Sequence, residues 1–115
     1  MTIARHNAGP RMSGAVVHNN TVYLAGQVAA DASAGVKGQT ELVLKKIDDL
    51  LKAAGTDKSK LLSATIFLAD IRGFDEMNAA WDAWVVAGST PGRATVEARL
   101  ANSKFLVEIV AIAAV

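Results

Sequence analysis

Cysteine is absent from this chain, which excludes disulfides, thiolate nucleophiles and cysteine-ligated metal together. Histidine occurs only as His6 and His18, and neither has a second metal ligand at useful spacing, so no metal site is expected. Charge of neither sign dominates. Lys+Arg number 12 against 11 Asp+Glu, with no basic block, so the electrostatic footprint of a nucleic-acid binder is missing. Apolar runs long enough to span a bilayer are missing too. Met1-Thr2-Ile3-Ala4-Arg5-His6 carries no apolar signal region, and a cytoplasmic location away from membranes is the expectation. Ser13, Ser63 and Ser89 stand in no triad context, which leaves a serine hydrolase without support.

What is present is apolar. A hydrophobic content of 51% beside 20% charged residues is slightly high for a soluble domain and points to buried subunit contacts. At 115 residues the chain has room for one core, so residues 1–115 read as a single domain.

Residues 1–13 are polar, contain Gly9-Pro10 and read as an arm or short edge strand. Ala15–His18 and Thr21–Ala25 are β-rich runs separated by Asn19-Asn20, a two-residue hairpin signal. Asp31–Gly38, rich in Ala, Gly and Ser, reads as a loop. Val43, Ile47, Leu50, Leu51 and Ala54 follow helical spacing and Gly55 supplies a stop, which predicts a helix over 39–54. Leu61–Leu68 alternates as a strand, with Leu62, Ala64, Ile66 and Leu68 on one face. A second helix carries Phe74, Met77, Asn78, Trp81, Trp84 and Val85 on one side and ends by Gly88.

In the last quarter, period two places Arg93, Thr95, Glu97 and Arg99 on one face and Ala94, Val96, Ala98 and Leu100 on the other. The apolar set is expected to face a core. Phe105–Val115 is apolar on both faces apart from Glu108, as in a strand covered from both sides. A lone carboxylate there is costly unless paired or put to use. The order ββαβαββ predicts an α+β fold, a single mixed β-sheet with two helices packed on one face. No element remains to cover the other face, so a symmetric oligomer is expected.

Several stretches carry a family resemblance. Pro91-x-Arg93-x-x-Val96-x-x-x-Leu100 and Val107-Glu108-Ile109-x-Ala111 resemble the closing signature of the RidA (YjgF/UK114) family of enamine/imine deaminases. Val22-Tyr23-Leu24-Ala25-Gly26-Gln27-Val28 resembles that family's strand ending in Gly-Gln. Lys60-x-x-x-Ala64-Thr65-Ile66-Phe67-Leu68-Ala69-Asp70 with Phe74-x-x-Met77-Asn78 resembles its central strand and second helix. The resemblance implies a chorismate-mutase-like fold, a homotrimer with sites in clefts between subunits, and no cofactor. It implies hydrolysis of small 2-imino or 2-enamino acids to 2-keto acids and ammonia.

It also places roles on residues. Arg93 matches the arginine that grips a substrate carboxylate, for which a planar guanidinium is suited. Glu108 matches the glutamate that positions water, with an assembly ion pair as its other reading. Backbone near Thr95 and Gly26 would hold the substrate nitrogen, the glycine permitting close approach. The chain departs from the pattern at three places. Arg11-Met12-Ser13 stands where an aromatic is usual, with Arg11 as a second positive group and Met12 as pocket wall. Ala25 replaces a serine, and Thr95 replaces a frequent cysteine.

Other prominent residues read more plainly: Asn78 as a satisfied interior amide, Trp81 and Trp84 as packing, and Arg99 as an ion-pair partner for a neighbour's Glu97. Two rival functions stand beside imine hydrolysis. One is a non-catalytic trimer that binds a small carboxylate metabolite through the same arginine. The other is RNA cleavage or translation inhibition, which the charge balance disfavours.

Overall fold

In the computed structural model, which describes residues 2–29, 31 and 33–115, the hairpin signal is realised as a tight turn. Asn19 and Asn20 both take positive φ, 53° and 61°, the left-handed pair that matches strand twist. They join β2 (Ala15–His18) to β3 (Thr21–Leu24), and the polar arm adds an edge strand, β1 (Ala4–His6). Beyond a break at Ala25-Gly26 comes the short β4 (Gln27–Val28). Both β3 and β4 pair with the last strand, Tyr23 opposite Ile112 and Gln27 opposite Ile109, so one strand carries an extra residue between those pairs. That is a β-bulge, placed at the Gly-Gln signature.

Helix α1 (Val36–Ala53) buries Val43, Leu44, Ile47, Leu50 and Leu51, the expected stripe. It starts three residues before the expected 39, so Val36 to Gly38 belong to its first turn and not to the loop. Ala32 of that loop lies outside the described residues, as do Met1 and Ala30. Gly55, at φ +85°, ends the helix in the left-handed conformation, and the Thr56 N–H closes back on the Leu51 carbonyl at 2.9 Å.

β5 (Leu61–Leu68) leads through a short 3-10 turn to α2 (Phe74–Trp84), then to β6 (Gly92–Glu97) and β7 (Val107–Ala114). α2 stops a turn before Gly88, its expected end, because Val85 is already extended. The strand order is β1-β2-β3-β7-β5-β6, with β4 also on β7. Every pairing is antiparallel except the β5–β6 crossover through α2, which makes the sheet mixed. The expected α+β architecture is what forms. At 20 Å the molecule is two layers thick, one sheet and one helix layer.

Ala64, Ile66 and Leu68 of β5 and Val107, Ile109, Ala111 and Ala113 of β7 pack under the helices. Leu62, expected with them, is 52% exposed because a register shift between Leu61 and Ser63 turns it out of the alternation. The opposite face stays open. β7 is therefore covered on one side only within the chain: Glu108, Val110 and Ile112 look out beside Phe67, Val28 and Tyr23.

One interior polar group organises the loop before β7. Gln39 is fully buried; its amide N–H groups donate to the Ala34 and Lys104 carbonyls, and its Oε1 accepts from the Leu106 N–H at 2.8 Å. Every polar atom of the side chain is thus satisfied, which makes its burial tolerable.

Candidate functional site

β6 is an edge strand, and its alternation runs opposite to expectation. Arg93, Thr95 and Glu97 are in register with Ala64, Ile66 and Leu68, which face the helices. Ala94 and Val96 are in register with Thr65 and Phe67 on the open face, and Val96 is 43% exposed. Period two separates two faces but does not say which is covered. Here the crossover helix α2 covers the polar one, because aromatic side chains can cap a guanidinium as readily as a methyl group.

The Arg93 guanidinium lies over two α2 rings, 5.3 Å from the Trp81 centroid and 5.8 Å from that of Phe74. Its Nη1 donates to Asn78 Oδ1 at 2.7 Å. Among the described residues it has no carboxylate partner, the two ion pairs being Lys45–Asp49 and Arg72–Asp70. Asn78 is thus a second-helix amide satisfied by the arginine, and Trp81 is both core and platform. Neither link was legible from spacing alone, although Asn78 on an otherwise apolar stripe was the available signal. Thr95, two residues on, has its Oγ1 buried without a hydrogen-bond partner.

Glu108 stands elsewhere. Arg93 aligns with Ala64 and Glu108 with Phe67, on strands flanking β5 and on opposite faces. Two strand spacings and three residues along the strand separate their backbones by about 14 Å. One small molecule cannot touch both side chains of one chain. Glu108 instead lies against the bulge: a Cβ on Gly26 would fall 2.1 Å from Glu108 Oε2. Gly26 is needed for that close approach, since any side chain there would displace the carboxylate. Gly26→Ala is expected to push the Glu108 carboxylate from its seat at little cost in stability, because the atom it meets is the free end of a flexible side chain; a crystal structure of the variant beside thermal melting checks both.

Arg11 and Met12 are exposed in the β1–β2 connection, where the Gly9 N–H closes on the Met12 carbonyl at 2.8 Å. That connection and β6 lie at opposite edges of the sheet, about 24 Å apart across five strand spacings. Along the sheet Arg93 and Thr95 stand on the edge strand β6, Glu108 stands two strands in on β7 with Gly26 against it, and Arg11 and Met12 lie towards the far edge, so one chain does not bring them together. Arg99 lies beyond the end of β6 and forms no ion pair among the described residues of one chain, its expected partner being a neighbour's Glu97. Glu97 Oε1 instead accepts from the Ile71 N–H at 3.0 Å, tying β6 to the turn before α2.

One mixed sheet with two helices on one face, an edge-strand arginine held by the crossover helix and a carboxylate seated on a glycine bulge define a small α+β protein with an exposed sheet face. The chain belongs to the YjgF/RidA family: the family model described as Endoribonuclease L-PSP matches residues 2–115. It is 51% identical over 115 residues, the whole of both chains, to the RutC family protein YoaB of Escherichia coli K12. To the 2-iminobutanoate/2-iminopropanoate deaminase of Mus musculus it is 35% identical over 107 residues, 88% of this chain and 78% of that one. A crystal structure of a YjgF-family protein from Neisseria meningitidis superposes with a TM-score of 0.95 at 44% identity, covering 99% of this chain and 95% of that one.

Proposed function

We propose that the protein hydrolyses small 2-imino acids, and their 2-enamino tautomers, to 2-oxo acids and ammonia. It does so as a homotrimer whose sites lie between copies. The observation that carries this is Arg93. A guanidinium held by an amide and two rings, without a carboxylate to neutralise it, is prepared for an anionic ligand. Kinship with the mouse deaminase supplies the reaction class.

The separation of these residues along one chain argues for the assembly. A head-to-tail ring sets the β6 edge of one copy over its neighbour's open sheet face, joining Arg93 and Thr95 to the neighbour's Gly26, Glu108, Arg11 and Met12. The same contact covers Val96, Phe67, Val110 and Ile112, which would otherwise expose an apolar face. In the cleft, Arg93 grips the carboxylate and backbone groups near Thr95 and the neighbour's Gly26 hold the nitrogen. Glu108 takes a proton as water adds to the imine carbon and returns it to the nitrogen. The resulting carbinolamine gives up its hydroxyl proton by the same route to the nitrogen as the C–N bond breaks, so that ammonia leaves and the added oxygen becomes the keto group. The imine carbon is already electrophilic, so no cofactor enters.

No helix among the described residues is long and apolar enough to cross a membrane. With balanced charge, this fits an enzyme acting on a soluble metabolite in the cytoplasm. The test generates imines in situ with an amino-acid oxidase, traps those remaining with semicarbazide, and measures particle mass by light scattering. Faster imine loss with a trimeric mass supports the reading. Imine loss no faster than in buffer sinks the enzymatic part, and a monomer at micromolar concentration sinks the assembly.

A further inference from the structure

We propose that Asn78 is a positioning residue for Arg93, acting as a deliberately neutral acceptor that fixes the guanidinium without consuming its charge. This rests on the reading of Arg93 as the carboxylate grip. Three contacts define the plane and rotation of the group: Asn78 Oδ1 on Nη1 at 2.7 Å, and the rings of Trp81 and Phe74 at 5.3 and 5.8 Å. Trp81 is buried and Asn78 half-buried on a helix anchored by Met77 and Ala80, so the holder is rigid where the held residue is exposed. With one Nη engaged, the remaining guanidinium N–H groups are left for a ligand, and a rigid fork loses less freedom on binding than a flexible one.

The identity of the acceptor matters. A carboxylate at position 78 would make the same hydrogen bond and a better ion pair, yet would neutralise the arginine and repel an incoming carboxylate. An amide supplies the geometry alone. That separates ligand binding from stability in a way a structural role cannot. Asn78→Asp is expected to hold or raise the melting temperature while weakening binding of pyruvate, a stable 2-oxo acid probe, about 10- to 100-fold. Asn78→Ala frees the guanidinium to rotate, and is expected to raise KM for the imine about 3- to 10-fold with a smaller change in kcat.

Pyruvate titration of the trimer, followed by tryptophan fluorescence from the ring beneath Arg93 and by calorimetry, reads the first effect. Oxidase-coupled kinetics read the second. Weaker binding by Asn78→Asp at undiminished melting temperature supports the assignment. Wild-type affinity in Asn78→Asp overturns it, as does a loss that merely follows a fall in melting temperature. If Asn78→Asp does not fold, an unchanged KM in Asn78→Ala overturns it alone. A wild-type protein that neither binds pyruvate nor hydrolyses imines overturns the reading of Arg93 and this inference with it. A wild type that does both beside an indifferent Asn78 overturns only the inference.

Discussion

Arg93→Ala is expected to lower kcat/KM for imine hydrolysis about 10²–10³-fold while the protein stays folded. The magnitude follows from the paired hydrogen bonds a guanidinium makes to a carboxylate, together worth about 3–5 kcal/mol when one partner is removed, at tenfold in rate per 1.36 kcal/mol. The fold has little to lose. Arg93 is exposed on an edge strand, and its internal contacts are one hydrogen bond to Asn78 and two ring faces. Removing these should lower the melting temperature by no more than about 5 °C. Arg93→Lys should recover little, because an ammonium offers a point charge and cannot satisfy Asn78 and a carboxylate in one plane.

The same variant distinguishes the two metabolite readings. If the protein only binds a small carboxylate, wild type accelerates no imine loss, yet pyruvate binding still disappears in Arg93→Ala. Full hydrolysis by Arg93→Ala would remove the central residue of the proposed mechanism. The name of the matching family model does not change this weighting, since 12 basic against 11 acidic residues is no net basic excess of the kind a phosphate backbone attracts.

Element identity was legible wherever one face met one core. The stripe of α1, the Asn19-Asn20 turn and the inward residues Ala64, Ile66 and Leu68 followed from period and turn chemistry, because each local preference agrees with its burial. β6 was legible as a strand but not as to which side is covered. Its polar residues are covered by the aromatic side of α2, and its apolar residues lie on the open face. A pattern of alternation has no sign, and only the crossover helix supplies one. The site was legible as residues and not as geometry. Arg93 and Glu108 are close in sequence, yet strand order and pleat put them on opposite faces. Gly26 could be singled out for close approach, since an isolated glycine in a strand marks a bulge or a near neighbour, but that the approaching group is the Glu108 carboxylate depends on the pairing of β4 with β7. Asn78 was legible as an amide needing a partner, but not that the partner is Arg93, which lies 15 residues away on another element.

Glu108→Gln separates catalysis from assembly. Within one chain the carboxylate is half-buried over Gly26, between Val28 and Phe67 in register, and among the described residues it forms no ion pair. A second copy closing over the open face must therefore deal with it. If Glu108 handles the water proton, the amide keeps shape and trimer but cannot accept that proton, and kcat is expected to fall about 10²–10⁴-fold with pyruvate affinity retained. If instead it meets a neighbour's arginine, the substitution leaves that cation unpaired in a closed interface. The cost is then roughly 3–5 kcal/mol, seen as dissociation on dilution and a lower melting temperature. Mass, melting and hydrolysis measured on one sample distinguish these outcomes. The geometry favours the first: a glycine kept bare beneath the carboxylate leaves it closely placed but without a fixed partner, as a group that must exchange a proton requires. Normal turnover in an intact Glu108→Gln trimer would end the water-activating role.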